Sequence, residues 1–203
     1  MSINVCNDRS MASITSLPSG VSGGSLVLIS EQTASSSSTI SFTSGIDSTY
    51  KEYIFKFINI HPASTGAFQV NFSADGGSNY NVTKTSSGFQ AYHREDGSAT
   101  ALSYASSLHV AQGTGEQMIA GGSVVNDNDN AVSGQMHLFD PSSTTFVKHY
   151  MTIANSFDSS SPPYTQNQFS GGYCNTTSAI NAVRFKFGSG NIDAGTIKMY
   201  GVS

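Results

Sequence analysis

The chain has 203 residues and a formal net charge of −4, and only 11% of its residues are charged, against about 25% in an average soluble domain. This composition lacks the basic stripe that a nucleic-acid partner requires, and no apolar run approaches the ~20 residues of a transmembrane helix. The function classes that need a nucleic acid or a membrane are therefore disfavoured, and the length suits one domain with an added arm.

The first 24 residues predict a flexible N-terminal arm. The segment "SLPSGVSGG" (16–24) combines a proline with three glycines, which do not hold a regular element. The start lacks the basic and apolar regions of a signal peptide, so a role outside a cell would need another route, such as release of virus particles by lysis. Met1 and Met11 are alternative starts. Residues 25–203 are expected to form a single domain.

Short β-strands dominate the first half of that domain. The strand candidates are "SLVLISE" (25–31), "TISF" (39–42), "YKEYIFKFINI" (50–60) and "AFQVNFSA" (67–74). The third is apolar on both faces up to the stop at Pro62, which predicts a central strand covered on both sides. In the fourth, Phe68, Val70 and Phe72 are predicted to face inward and Gln69, Asn71 and Ser73 outward. We expect the last two to form a hairpin-like unit, followed by a turn at "DGGSNY" (75–80).

The second half continues the pattern with weaker signals. Its strand candidates are "SLHVAQ" (107–112), "EQMIAGGSVV" (116–125), "GQMHLFD" (134–140), "FVKHYMTIAN" (146–155) and "INAVRFKF" (180–187). Residues 155–178 are interpreted as a long polar loop of the functional or partner-ordered kind. The alternating terminal stretch "TIKMYGV" predicts a strand paired inside a sheet. No 3.6-residue pattern is sustained, so we predict an all-β, jelly-roll-like antiparallel β-sandwich, with its first and last strands near one another.

The motifs that carry chemistry elsewhere are poorly supported here. "GVSGG" (20–24) has the G-x-S-x-G spacing of serine hydrolases, but Ser22 follows an irregular arm and precedes a strand, so no nucleophile elbow is expected. "NDNDN" (126–130) has aspartates at calcium-loop spacing without the rest of the EF-hand pattern. A solvated turn is our interpretation, with calcium as the alternative. "HREDG" (93–97) is interpreted as an exposed hairpin tip, because adjacent carboxylates do not suit a glycosidase.

Histidines, cysteines and aromatics leave further alternatives open. The five histidines show no local zinc spacing; they are His61, His93, His109, His137 and His149. Cys6 and Cys174 either form a disulfide or remain free thiols. Stacking on sugar rings is an alternative role for tyrosines, with Tyr164 and Tyr173 in the 155–178 segment as first candidates and Tyr80 and Tyr92 next. We predict no catalytic residue, no metal ligand and no cofactor.

Two segments resemble a known family. "LVLISEQTASSSSTISFTSGIDSTYKEYIFKFINIHP" (26–62) and "INAVRFKFGSGNIDAGTIKMYGVS" (180–203) are similar to small virion structural proteins of tailed phages that infect aquatic bacteria and cyanobacteria. The shared pattern includes a "TASSS" segment, a "DGGS.Y" turn and a terminal "GNI.SGTIK.YG", where this chain has Ala194 in place of Ser and Met199 in place of Leu. The middle of the chain is not matched.

The resemblance implies a non-enzymatic component of a virion. A capsid decoration (cement) protein that binds the major capsid protein or other virion proteins is the leading expectation. The alternative is a tail or head fibre subunit, or a receptor-binding domain that recognises a host surface glycan. The resemblance also implies a homo-oligomer, with a trimer favoured. The arm at 1–24 and the segment 155–178 are the expected contacts with partners.

Overall fold

The structure, a computed structural model, describes residues 26–203. Within that range it consists of β-strands, turns and one short 3-10 helix, Ser106–Leu108. The strands are β1 (Leu26–Thr33), β2 (Ile40–Phe42), β3 (Glu52–Pro62), β4 (Gly66–Ser73), β5 (Lys84–Arg94), β6 (Thr100–Tyr104), β7 (Val110–Gly113), β8 (Gln117–Val124), β9 (Val132–Phe139), β10 (Lys148–Asp158), β11 (Tyr164–Cys174), β12 (Ala182–Phe187) and β13 (Ile192–Val202). The predicted all-β class is confirmed. The predicted arm, residues 1–24, lies outside the described residues.

Two antiparallel sheets form the sandwich. The larger has the strand order β1-β13-β3-β9-β10-β11-β5-β6, with β7 also paired to β5, and the smaller has the order β2-β12-β4-β8. The sheets pack face to face, with β8 lying over β10 and β11. The larger sheet has nine strands and the smaller has four, so the β5–β6 end of the larger sheet extends beyond the smaller one. The predicted jelly-roll-like antiparallel β-sandwich is confirmed as the class of fold.

Aromatic side chains fill the core between the sheets. Phe185 of β12 lies at the centre, and its ring centroid is 5.1 Å from that of Phe57, 5.5 Å from that of Phe55 and 5.8 Å from that of Phe68. All four rings are at most 2% exposed. Burial of one such side chain stabilises the fold by about 1.5–3 kcal/mol. These rings therefore hold β3 of the larger sheet against β4 and β12 of the smaller one.

The terminal strand is an interior strand, as predicted. β13 pairs with β1 on one side and with β3 on the other, and Leu26 lies opposite Val202. The side chains of Ile197 and Met199 are fully buried. The expectation that the first and last strands of the sandwich lie together is confirmed by the β1–β13 pairing.

Three expectations about β3 and β4 are wrong, although β3 is central and β4 turns Phe68, Val70 and Phe72 inward. Among residues 26–203, no second layer of strands covers the outer face of β3, where Ile58 is 42% exposed although Ile54 is only 8% exposed. The two strands belong to different sheets and form no hairpin. Asn71 and Ser73, predicted to face solvent, are buried, because the loops before β5 and β8 fold over that end of β4.

The predicted loop at 155–178 is also wrong. Residues 155–158 belong to β10 and residues 164–174 to β11, and these strands pair along their whole lengths from Lys148 opposite Cys174 to Asp158 opposite Tyr164. Only residues 159–163 connect them. No sequence pattern predicted β5 or β6. The two strands form a hairpin, and the "HREDG" segment lies at its tip, as predicted.

Candidate functional site

The predicted chemical motifs do not come together in the fold. The five histidines lie on different strands or loops, with His93 on β5. The other four each bond or stack with a different neighbour: His61 with Asp127, His109 with Tyr104, His137 with Glu52 and His149 with Tyr173. Residues 126–130 form a turn between β8 and β9. Within residues 26–203, no group of three or more His, Cys, Asp or Glu side chains is placed to hold a metal ion. Ser22 and Cys6 lie outside the described residues, and Cys174 is a buried free thiol.

An apolar face lies on the outer side of the larger sheet. We define the apolar face by six side chains from β5, β6, β10 and β11: Phe89, Leu102, Tyr104, Met151, Ile153 and Phe169. They line a groove of about 700 Å³, and the remaining lining residues are Ser, Thr and Gly. Leu102 is 73% exposed and Tyr104 63% exposed. None of the lining residues, all drawn from the described part of the chain, is charged.

Strand register assembles the apolar face into one row. Tyr104 lies opposite Phe89, Phe89 opposite Phe169, and Phe169 opposite Ile153, so the row crosses four strands. The rings of Phe89 and Phe169 stack with centroids 4.9 Å apart. Cross-strand pairs of this kind stabilise a sheet, but they leave one side of each ring exposed to water. A contiguous apolar surface on a folded domain usually marks a contact with another molecule.

The inner side of the same strands is unexpectedly polar. Thr152 and Ser170 share a hydrogen bond of 2.5 Å, the backbone N–H of Gly121 donates to the side-chain oxygen of Gln168, and the hydroxyl of Tyr150 donates to Gln117. Burial raises the pKa of Tyr150, so its hydroxyl stays a donor. These strands thus reverse the usual pattern, with hydrogen-bonded groups inside and apolar groups outside.

A small polar pocket of about 270 Å³ lies where this polar interior opens at the β10–β11 turn. Gln90, Gln166, Gln168 and Asp158 line it together with Tyr164. The hydroxyl of Tyr164 donates to Asp158 Oδ2 over 2.9 Å. Burial, followed by that hydrogen bond to Asp158, raises the pKa of Tyr164 to about 12. The pocket therefore presents amides, one carboxylate and a phenol rather than a reactive nucleophile.

The tyrosines proposed for sugar stacking are only partly brought together. The rings of Tyr92 and Tyr164 lie 5.2 Å apart beside the polar pocket. Tyr173 is at the other end of β11, where it packs near His149 on the outer face. Tyr80 lies under Arg184, whose guanidinium is 4.3 Å from the ring centroid. The sequence identified the two tyrosines of the pocket but not the glutamines, which have no motif, nor the apolar face, which depends on register between distant strands.

Comparisons with protein-family models, with curated proteins and with solved structures find no match to this chain. Among residues 26–203 there is also no helix long and apolar enough to cross a bilayer. The function is therefore inferred from the geometry described above together with the resemblance of the two end segments.

Proposed function

We propose that this protein is a non-enzymatic structural subunit of a tailed-phage virion, with the role of a capsid decoration (cement) protein that binds the assembled shell. The observation that carries the proposal is the apolar face, an uncharged surface presented by a broad antiparallel sheet. A rigid domain with one exposed apolar surface suits a protein whose function is to bind other proteins. The resemblance of segments 26–62 and 180–203 to phage virion proteins supports the same role.

The occupant of the apolar face is a second copy of this chain, within a homo-oligomer for which a trimer is favoured. Because none of the groove's lining residues within 26–203 is charged, copies of the chain that pack through this face meet without electrostatic repulsion. The face also ends at β6, the edge of the larger sheet, where a neighbouring copy would cover both exposed side chains and an unpaired strand edge. The rest of the surface is then available to the major capsid protein or other virion proteins.

The association state tests this assignment. The full chain is compared with Leu102→Asp, which places a charge on the apolar face at its β6 edge, by sedimentation velocity and size-exclusion chromatography with light scattering. The matched control is Phe146→Asp, since Phe146 is 70% exposed but lies outside the groove. We expect wild type and Phe146→Asp to be oligomers and Leu102→Asp to be a folded single chain. A wild-type monomer, or a Leu102→Asp oligomer of unchanged affinity, would contradict the assignment.

The second candidate function is recognition of a host surface glycan by a fibre or receptor-binding subunit. The polar pocket favours it, because amide and carboxylate groups beside paired tyrosine rings are suited to hydroxyl-rich ligands. A glycan array with the full chain, followed by titration of any hit, tests it. Gln90→Ala should weaken binding, and Asn167→Ala, exposed on the opposite face of β11, should not. Absence of any hit on the array would count against this function.

A further inference from the structure

A buried lysine and a buried asparagine meet at the C-terminal end of β4, under the loops that precede β5 and β8. Asn71 of β4 is 1% exposed and Lys84, the first residue of β5, is fully buried. The Nζ of Lys84 donates to Asn71 Oδ1 over 2.7 Å. Its other acceptor is the backbone carbonyl of Val82, at 3.4 Å. The amine of the lysine is therefore directed at the side-chain amide of one asparagine, and no carboxylate within residues 26–203 is hydrogen-bonded to it.

The asparagine is held in one orientation. Its Nδ2 donates to the carbonyl of Tyr80 over 2.8 Å and to that of Thr114 over 3.1 Å. Its Oδ1 accepts from the backbone N–H of Phe72, at 2.9 Å, as well as from Lys84. The backbone N–H of Phe72 stays on Oδ1 when the amine of Lys84 turns to Cγ, so it stabilises the negative charge that develops on that oxygen during attack. The amide is thus fixed and polarised beside the amine.

The lysine is also poised to act as a nucleophile. Burial lowers the pKa of Lys84 to about 8, against the partly compensating charges of Cys174 and Glu116. An amine with that pKa is neutral in about a tenth of molecules at neutral pH, far more often than an exposed lysine. Only the neutral form has the lone pair that attacks a carbonyl carbon.

A carboxyl group stands beside the pair. Glu116 bonds Arg184 through Oε1, and Arg184 is the strand neighbour of Asn71. The second oxygen of Glu116, Oε2, is buried and has no hydrogen-bond partner among the described residues. Thr114, two residues before Glu116, accepts a hydrogen bond from Asn71 Nδ2, so Glu116 belongs to the segment that covers the Lys84–Asn71 pair. An unpartnered carboxyl oxygen at this place is suited to carry a proton between two nitrogens.

We propose that Lys84 and Asn71 form an intramolecular isopeptide bond that covalently joins the two sheets. The neutral amine of Lys84 attacks Cγ of Asn71, and the carbonyl electron pair moves to Oδ1. Glu116 takes one proton from Nζ and delivers it to Nδ2. The carbonyl re-forms as the Cγ–Nδ2 bond breaks, and Nδ2 leaves as ammonia. One amide replaces another, so no oxidant or reductant is needed.

The bond would connect β4 of the smaller sheet to β5 of the larger one. It closes a short span, 13 residues apart along the chain, at the open end of β4 where β8 no longer covers it. This inference does not depend on the virion assignment. A covalent tie between sheets resists unfolding by heat or force in any setting, because the two layers can no longer separate at that point.

Peptide mass spectrometry of the full chain tests the bond directly. Trypsin cleaves after lysine and arginine, so an unlinked chain yields peptides 57–84 and 85–94 at their sequence masses. A linked chain yields a single peptide 57–94 that is uncut at Lys84 and lighter by one ammonia. Its fragmentation should give no backbone ions from cleavage between positions 71 and 84. Peptides 57–84 and 85–94 at full mass and in full yield would overturn the proposal.

Two variants distinguish the isopeptide bond from loss of ammonia by an asparagine alone. Lys84→Arg keeps a cation but cannot form the amide, so cleavage after position 84 and the full peptide mass should both return. Lys148→Arg is the matched control, since Lys148 is also fully buried but its Nζ donates to the carbonyl of Thr176. Its digest should still contain the ammonia-depleted 57–94 peptide. Loss of ammonia that persists in Lys84→Arg would show cyclisation of an asparagine alone and would overturn the proposal.

Discussion

Phe89 and Phe169 lie directly opposite each other on β5 and β11, and their rings stack with an angle of 10° between the planes. The stack faces away from the core, where Phe89 is 47% exposed. Aromatic pairs contribute about 0.5–1.5 kcal/mol beyond the area they bury, so this one stiffens the outer side of the sheet. It also gives the apolar face a rigid centre on which a second copy of the chain can dock without first ordering flexible side chains.

The aromatic core should depend strongly on one ring. Phe185→Ala leaves a cavity among Phe42, Phe55, Phe57 and Phe68, so we expect a loss of about 3–5 kcal/mol in the free energy of unfolding. Urea denaturation followed by circular dichroism measures it. Phe146→Ala, at an exposed position, should change the free energy by less than about 0.5 kcal/mol. Equal effects of the two substitutions would refute this account of the core.

The last strand should be indispensable. Deletion of residues 196–203 removes most of β13 from between β1 and β3, exposing two strand edges and losing the buried side chains of Ile197 and Met199. We expect the shortened chain to lose its cooperative thermal transition. Differential scanning calorimetry of the purified chain decides this, and a truncated chain that melts like the full one would show that β13 is dispensable.

Asp75, in the turn after β4, should make the free energy of unfolding decrease at acidic pH. Hydrogen bonds from the side chain of Asn79 and from Ser73 lower the pKa of Asp75 to about 2, below the usual value of 3.8. A depressed folded-state pKa favours the native state above pH about 4, and that contribution is lost as the pH falls from about 4 to about 2. The urea midpoint of wild type should therefore drop more over this window than that of Asp75→Asn. Parallel curves for the two proteins would contradict the prediction.

The thiol of Cys174 should be inert in the native protein. Cys174 is fully buried between its strand neighbours Lys84 and Lys148, and burial raises its pKa to about 12 despite their opposing charges. A thiol in this state is a poor nucleophile. In a Cys6→Ser background, reaction with an aromatic disulfide reagent at pH about 8 should be slow natively and complete in urea. Immediate stoichiometric labelling of the native chain would be inconsistent with the burial.

Sequence patterns predicted the strands whose apolar residues face the core, such as β3, β4, β12 and β13. They failed for β5 and β11, because Gln166, Gln168 and Ser170 face inward there and Phe169 faces out. Such a reversal is stable only because strands far away in the chain supply hydrogen-bond partners. The same limit applies to Asn71. Its polar side chain predicted an exposed position, but in the structure the loops that contain Tyr80 and Thr114 cover it.

The copy number of this chain in purified virus particles tests the proposed virion role most directly. Quantitative mass spectrometry with isotope-labelled peptides gives the ratio of this chain to the major capsid protein. A decoration protein predicts a ratio near the stoichiometry of the capsid lattice. A few copies per particle would instead indicate a fibre or tail subunit. Absence from purified particles would contradict the proposed virion role altogether.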